Sequence, residues 1–275
     1  MTGPILRPGV AETVTRTGAI IYLESVTVDY DGFLALNNFN FYMDRRELRV
    51  VIGPNGAGKT TLLDVISGRT KPAHGRVIFG HHTDLLPLAE NEIASLGIGR
   101  KFQTPSVFVN LSVRENIELS LRRRSKGVFA MLLDREETDE RRRIVETLET
   151  VGLSAKAEWV AGALSHGEKQ WLEIGMVMAQ DPELLLIDEP AAGMTEEETA
   201  RTGELLRGIA VDRSVLVIEH DMEFVRQIGS TVTVLHQGTV LCEGPVAQVQ
   251  SDPRVLEVYL GKPRESGVGA GHAGH

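Results

Sequence analysis

The stretch RVVIGPNGAGKTTLLDVISG, residues 49–68, leaves a chain few choices of fold. An apolar run stops at Gly53, the loop Gly53, Pro54, Asn55, Gly56, Ala57 and Gly58 follows, and Lys59, Thr60 and Thr61 then open a run with helical apolar spacing. This is G-x-x-x-x-G-K-[ST] between a strand and a helix, the arrangement in which glycines let backbone N–H groups wrap a chain of phosphates. The helix N-terminus adds the positive end of its dipole. Lys59 places a cation on β- and γ-phosphates, and the Thr60 hydroxyl is a candidate Mg²⁺ ligand.

Around that loop, apolar runs alternate with helical periodicity, which predicts a parallel sheet covered on both faces. Strands are expected in AIIYLESVTVDY, in LNNFNFYMDRRELRVVIG, and at 75–80, 184–187, 214–220 and 231–244. Helices are expected at 59–68, 167–180, 196–210 and 221–229. Between about 95 and 180 no strong β run stands out, so a mainly helical subdomain is expected there. Residues 1–18 and 265–275 are short of large apolar side chains and read as loose extensions flanking one domain at 19–264. With 42% hydrophobic residues in 275, the chain can bury a sizeable core.

The 38 acidic residues against 29 basic ones give a formal charge of −9, which argues against a broad nucleic-acid surface. The single cysteine, Cys242, excludes an intrachain disulfide and suggests a reducing compartment. The N-terminus lacks the pattern of a secretion signal, and no apolar run approaches the ~18 residues of a membrane span.

Three further stretches carry chemistry. LLLIDEP ends an apolar strand in Asp188, a second candidate Mg²⁺ ligand, followed by Glu189, a candidate general base. VLVIEH brings His220 to the same sheet edge. LSHGEKQWLEIGM starts a helix with Ser165 and Glu168 in an S-x-x-E capping box, and Gly167 leaves amides there open to an anion.

These motifs, with the glutamine of RKFQTPSVF and the pair IEHD, occur in the order found in the nucleotide-binding subunits of ATP-binding cassette (ABC) transporters, which residues 20–261 resemble. The resemblance implies a P-loop NTPase (RecA-like) α/β core with an N-terminal antiparallel β part and an inserted helical subdomain. It implies ATP and Mg²⁺, hydrolysis with Glu189 as base and His220 as the switch on the γ-phosphate, and Gln103 sensing the metal and the attacking water. Tyr30 matches the aromatic that stacks on adenine, with Phe33 close by. Family members pair head to tail, so Ser165 and Gly167 would close over the γ-phosphate of ATP held by a partner chain. The family's usual signature has glycine where His166 stands and glutamine where Glu168 stands. After Pro190, AAGMT lacks the aspartate usual in this loop.

The resemblance also implies a second ATPase subunit, identical or related, together with membrane permease subunits and indirectly a solute-binding protein. The subunit would sit peripherally on the cytoplasmic face of the inner membrane, without nucleic acid. TPSVFVNLSVRENI is a candidate dock for the permease, though one face of it could pack within the helical subdomain. Arg122, Arg123, Arg124 and Lys126 could approach anionic lipid or simply be solvated. His272 and His275 read as tail. Finer texture is similar to the branched-chain amino-acid importer branch. Within it, LSHGEKQWLEIGM and HDMEFVRQI are similar to the first ATP-binding subunit of the urea importer, so urea is the expected solute and a branched-chain amino acid the alternative. A soluble cassette ATPase or a non-catalytic nucleotide-binding module are the rival classes.

Overall fold

The computed structural model describes residues 18–101, 107–122 and 134–260. The chain opens with strands β1 (Ala19–Tyr30) and β2 (Phe33–Asp44), an antiparallel ribbon whose turn places Asp31 and Gly32 at positive φ. Two such residues in succession produce the turn that matches strand twist.

The long β-type run LNNFNFYMDRRELRVVIG holds two strands. β2 ends at Asp44, Arg46 takes φ +57, and β3 (Leu48–Ile52) begins in a different sheet. The break is held by the Asp44 amide donating to Glu47 Oε2 at 2.9 Å and the Arg46 amide donating to Ser214 Oγ at 3.0 Å. Polar groups of the turn thus decide where one sheet hands over to the next.

Helix α1 (Lys59–Ile66) follows the glycine-rich loop and buries Leu62, Leu63, Val65 and Ile66, each contributing about 1.5–3 kcal/mol of transfer free energy. Then come β4 (His74–Phe79), β5 (Thr83–Asp84), α2 (Glu90–Ser95) and β6 (Ile98–Lys101). β6 lies inside the stretch expected to be helical. Its four residues are too short a run to stand out in sequence, yet it pairs in parallel with a later strand of the main sheet. Helices α3 (Val113–Arg122), α4 (Asp134–Thr150) and α5 (His166–Met178) form the inserted helical part.

The chain closes with β7 (Leu184–Asp188), α6 (Glu196–Ala210), β8 (Ser214–Ile218), α7 (Met222–Ile228), β9 (Thr231–His236), β10 (Thr239–Gly244), α8 (Val246–Gln250) and α9 (Pro253–Leu260). The β-type run 231–244 is a hairpin, because Gln237 and Gly238 both adopt positive φ.

Two sheets result. One is antiparallel, ordered β2-β1-β4-β5; the other is ordered β10-β9-β3-β8-β7-β6, parallel except for its β10 edge. One core fills the space between the sheets around α1, with Phe39, Met43, Leu62 and Leu216 fully buried. A second lies on the opposite face of the main sheet, where Leu206, Ile209, Phe224 and Val225 pack. A third joins Val113, Ile117, Leu148 and Trp171 in the helical part. α5 belongs to two of them, through Ile174 to the main sheet and through Trp171 and Leu172 to the helical part. The helix that begins at Ser165 is therefore the mechanical joint between the two. The N-terminal extension up to residue 17, the 265–275 tail with His272 and His275, and Arg123, Arg124 and Lys126 lie outside the described residues.

Candidate functional site

β3, β7 and β8 run in parallel and deliver their C-terminal ends to one edge of the sheet, where open α/β folds bind ligands. β3 delivers the loop Gly53, Pro54, Asn55, Gly56, Ala57, Gly58. Gly58 caps α1 at φ +102, and a Cβ there would strike the Ala35 carbonyl, so only glycine lets the loop lie this close to β2. The loop is closed by the Ala57 amide donating to Pro54 O at 3.2 Å and the Gly238 amide donating to Ala57 O at 3.1 Å. Lys59 Nζ folds back over it and donates to Gly53 O at 2.6 Å and Pro54 O at 3.1 Å. Burial lowers the Lys59 pKa, opposed by the nearby charges of Glu189 and Asp188. Thr60 and Thr61 follow in the first turn, Thr60 exposed.

β7 ends in Asp188, only 5% exposed. Burial raises its pKa and Glu189 adds to the effect, while Arg100, Lys101 and Lys59 pull it down. A buried carboxylate facing cations beside a phosphate-type loop fits a divalent ion. Among the described residues no group of three or more His, Cys, Asp or Glu side chains forms a metal cage. That suits Mg²⁺, which is usually held by one or two carboxylates together with substrate phosphates. Thr60 and Asp188 are the candidates for holding it among the described residues; Gln103 lies outside the described residues.

Glu189 takes φ +46, an unusual conformation for a residue with a side chain, and its amide donates to Ile218 O at 3.0 Å across the sheet. Strain of this kind costs of order 1–3 kcal/mol and gathers at functional sites. It aims the carboxylate at His220, whose Nδ1 lies 3.3 Å from Glu189 Oε1. His220 is 61% exposed and Glu189 26%, so the pair faces solvent at the sheet edge.

Two residues here escaped the reading of the sequence. Glu219, 1% exposed, accepts from the Ala191 amide at 3.2 Å and the His220 amide at 3.1 Å, tying the segment after Glu189 to the one bearing His220. Burial raises its pKa, and the amides of Ala191, His220 and Asp221 oppose that. The signal was present in SVLVIEH: a charge ending an otherwise apolar buried strand needs a partner. The second is Glu198, which reaches the start of α5.

At that start the capping box forms as expected. The Glu168 amide donates to Ser165 Oγ and the Ser165 amide to Glu168 Oε2, both at 3.1 Å. Glu168 also accepts from Lys156 Nζ at 2.5 Å, so its carboxylate turns back into its own chain. Within the single chain the groups at Ser165 and Gly167 already have partners. Ser165 Oγ donates to Glu198 Oε1 at 2.8 Å, and His166 Nε2 lies 3.1 Å from the Ala192 carbonyl. Tyr30 and Phe33 flank the β1–β2 turn, both exposed, and the Tyr30 hydroxyl is 3.2 Å from Thr70 Oγ1.

Residues 36–192 match the family model described as ABC transporter, and residues 239–265 match that of the branched-chain amino acid ATP-binding cassette transporter. The chain is 34% identical to the high-affinity branched-chain amino acid transport ATP-binding protein LivG of Escherichia coli (strain K12), over 88% of this chain and 98% of that one. It superposes on the ADP conformation of MJ1267, an ATP-binding cassette of an ABC transporter, with a TM-score of 0.78 at 27% identity, covering 89% of this chain and 99% of that one. It also superposes on the dimeric post-hydrolysis cassette MJ0796 bound to ADP and Pi, with a TM-score of 0.69 at 27% identity, covering 82% and 98%. Cassettes of this kind dimerise and work with permease subunits, and no described helix here is long and apolar enough to cross a membrane. The loop, the acidic strand end, the signature-type helix start and these likenesses agree: the chain belongs to the ABC transporter family, as an ATP-hydrolysing, Mg-ATP-binding subunit of its LivG-like, branched-chain amino-acid branch.

Proposed function

We propose that the chain is the energy-coupling ATPase of an importer, acting as one of a pair of cassettes beneath the permease subunits. The observation that carries the catalytic assignment is the Glu189–His220 contact at the sheet edge that also holds the phosphate loop and Asp188. Lys59, freed from the loop carbonyls, meets the β- and γ-phosphates, while the backbone N–H groups of the Gly53–Thr61 loop, Pro54 having none, line the phosphate chain. Thr60, Asp188 and Gln103 would hold Mg²⁺, which when bound neutralises phosphate charge. Glu189 accepts the proton of the attacking water. General-base assistance of this kind contributes about 10²- to 10⁴-fold in rate. His220 orients Glu189 and contacts the γ-phosphate, Tyr30 stacks on adenine, and Ser165 with the Gly167 amide closes over the partner's ATP. Residues 104–117 meet the permease, and a solute-binding protein delivers cargo from outside. The subunit sits peripherally at the cytoplasmic face of the inner membrane.

The likeness to LivG and to the branched-chain family model favours a branched-chain amino acid as the solute. A second reading, urea, is supported by LSHGEKQWLEIGM with its His166 and Glu168, and by HDMEFVRQI. Uptake of labelled leucine and labelled urea in cells carrying the native chain or Glu189→Gln separates them. Loss of leucine uptake supports the first reading, loss of urea uptake alone moves the protein to the second, and no change in either points to a soluble ATPase.

A further inference from the structure

Glu198 lies on the first turn of α6, yet its carboxylate spans two elements. Oε2 accepts from the Thr195 amide at 3.1 Å and from Thr195 Oγ1 at 3.2 Å, closing a capping box. Oε1 accepts from Ser165 Oγ at 2.8 Å. The Gly167 amide also faces it, and a Cβ added to Gly167 would fall 2.5 Å from Glu198 Cδ and 2.6 Å from Oε1. An acid of the same chain thus occupies two groups that the signature helix would offer to an anion, the Ser165 hydroxyl and the Gly167 amide. A second clasp lies alongside: a carbonyl can only accept, so His166 must donate from Nε2 to Ala192 O at 3.1 Å.

The Glu198 carboxyl is held below the ordinary glutamate range by the Thr195 amide first and the Ser165 hydroxyl next. It is therefore an anion at neutral pH, and two anions cannot share one hydroxyl and one amide.

We propose that Glu198 is a positioning residue of the signature: it presets Ser165 and Gly167 within a single chain and must yield them to the γ-phosphate of the partner's ATP, so that its release sets how much ATP pairing requires. The inference rests on the assignment of Ser165 and Gly167 as signature donors. The competition is local to the partner-facing end of α5, so it leaves the affinity of the chain's own phosphate loop alone.

The test uses the full chain carrying Glu189→Gln, in which pairs are expected to accumulate if Glu189 is the base, with Mg-ATP and sedimentation velocity to find the ATP concentration at half-pairing. Fluorescent ATP binding at a dilution where the chain is single reads the phosphate loop separately. Adding Glu198→Gln keeps a capping residue on α6 but removes the charge. It is expected to lower the half-pairing concentration about three- to tenfold, the net scale of one ordinary hydrogen bond, with loop affinity unchanged. Thr195→Val weakens the same helix cap while keeping the carboxylate and is expected to leave half-pairing where it was; melting temperatures confirm that both variants fold. An unchanged or raised half-pairing point in Glu198→Gln overturns the proposal. If ATP-driven pairing persists there and Ser165→Ala still abolishes it, the signature assignment stands alone; if no variant pairs with ATP, both fall.

Discussion

Oε1 of Glu189, on the turn after β7, lies 3.3 Å from Nδ1 of His220, on the turn after β8. The contact exists because β7 and β8 pair in parallel with Asp188 opposite Ile218, which brings the two strand ends level. If Glu189 is the base, Glu189→Gln should lower turnover by about 10²- to 10⁴-fold while retaining ATP binding. Steady-state phosphate release and nucleotide titration check this; near-normal turnover would remove Glu189 from the role.

Lys59 spans the loop by hydrogen bonds to Gly53 O and Pro54 O. An alanine there leaves the loop without its cation. Affinity for ATP should fall at least about tenfold, the scale of one hydrogen bond to a charged group. Calorimetric titration with ATP and then with adenosine discriminates: the loss belongs to ATP, and an equal loss for adenosine would place the fault in folding.

Glu219 accepts from two amides while almost fully buried. Glutamine keeps one acceptor and turns an amino group toward the other N–H. Glu219→Gln is expected to cost about 1–3 kcal/mol of stability and to lower kcat more than it raises the KM for ATP. Denaturant unfolding together with ATPase kinetics reads both effects, and Glu219→Asp should recover neither, because its shorter arm cannot span Ala191 and His220.

For Glu168, burial alone would raise the pKa, but the Lys156 hydrogen bond and then the Ser165 amide outweigh it, leaving the carboxyl below its usual range. With a depressed folded-state pKa, the stabilisation is present above the unfolded value and is lost as pH falls through the folded one. Glu168→Gln should therefore melt lower than the native chain at pH 7 by the equivalent of ~1 kcal/mol or less, given a partly exposed pair. The gap should close on acidification below the ordinary glutamate pKa. A gap that widens in acid would contradict this sign.

Much of this was legible in the chain. The phosphate loop, the helix it opens, Asp188 at a strand end and the Ser165–Glu168 capping box are local patterns, set by spacing within a few residues and by hydrogen bonds a short segment makes with itself. Where the reading stopped short, the deciding partner was remote. LNNFNFYMDRRELRVVIG breaks because Arg46 finds Ser214, and β6 is a strand because β7 lies beside it. The Glu189–His220 contact, the buried bridge of Glu219 and the seating of Glu198 on Ser165 each join residues from different elements. Sequence alone thus determined which candidate phosphate-binding residues the chain owns and the elements that carry them. Only tertiary packing decided which carboxylates meet which partners, because a side chain's hydrogen bonds across a fold depend on strand register and helix placement that no short stretch encodes.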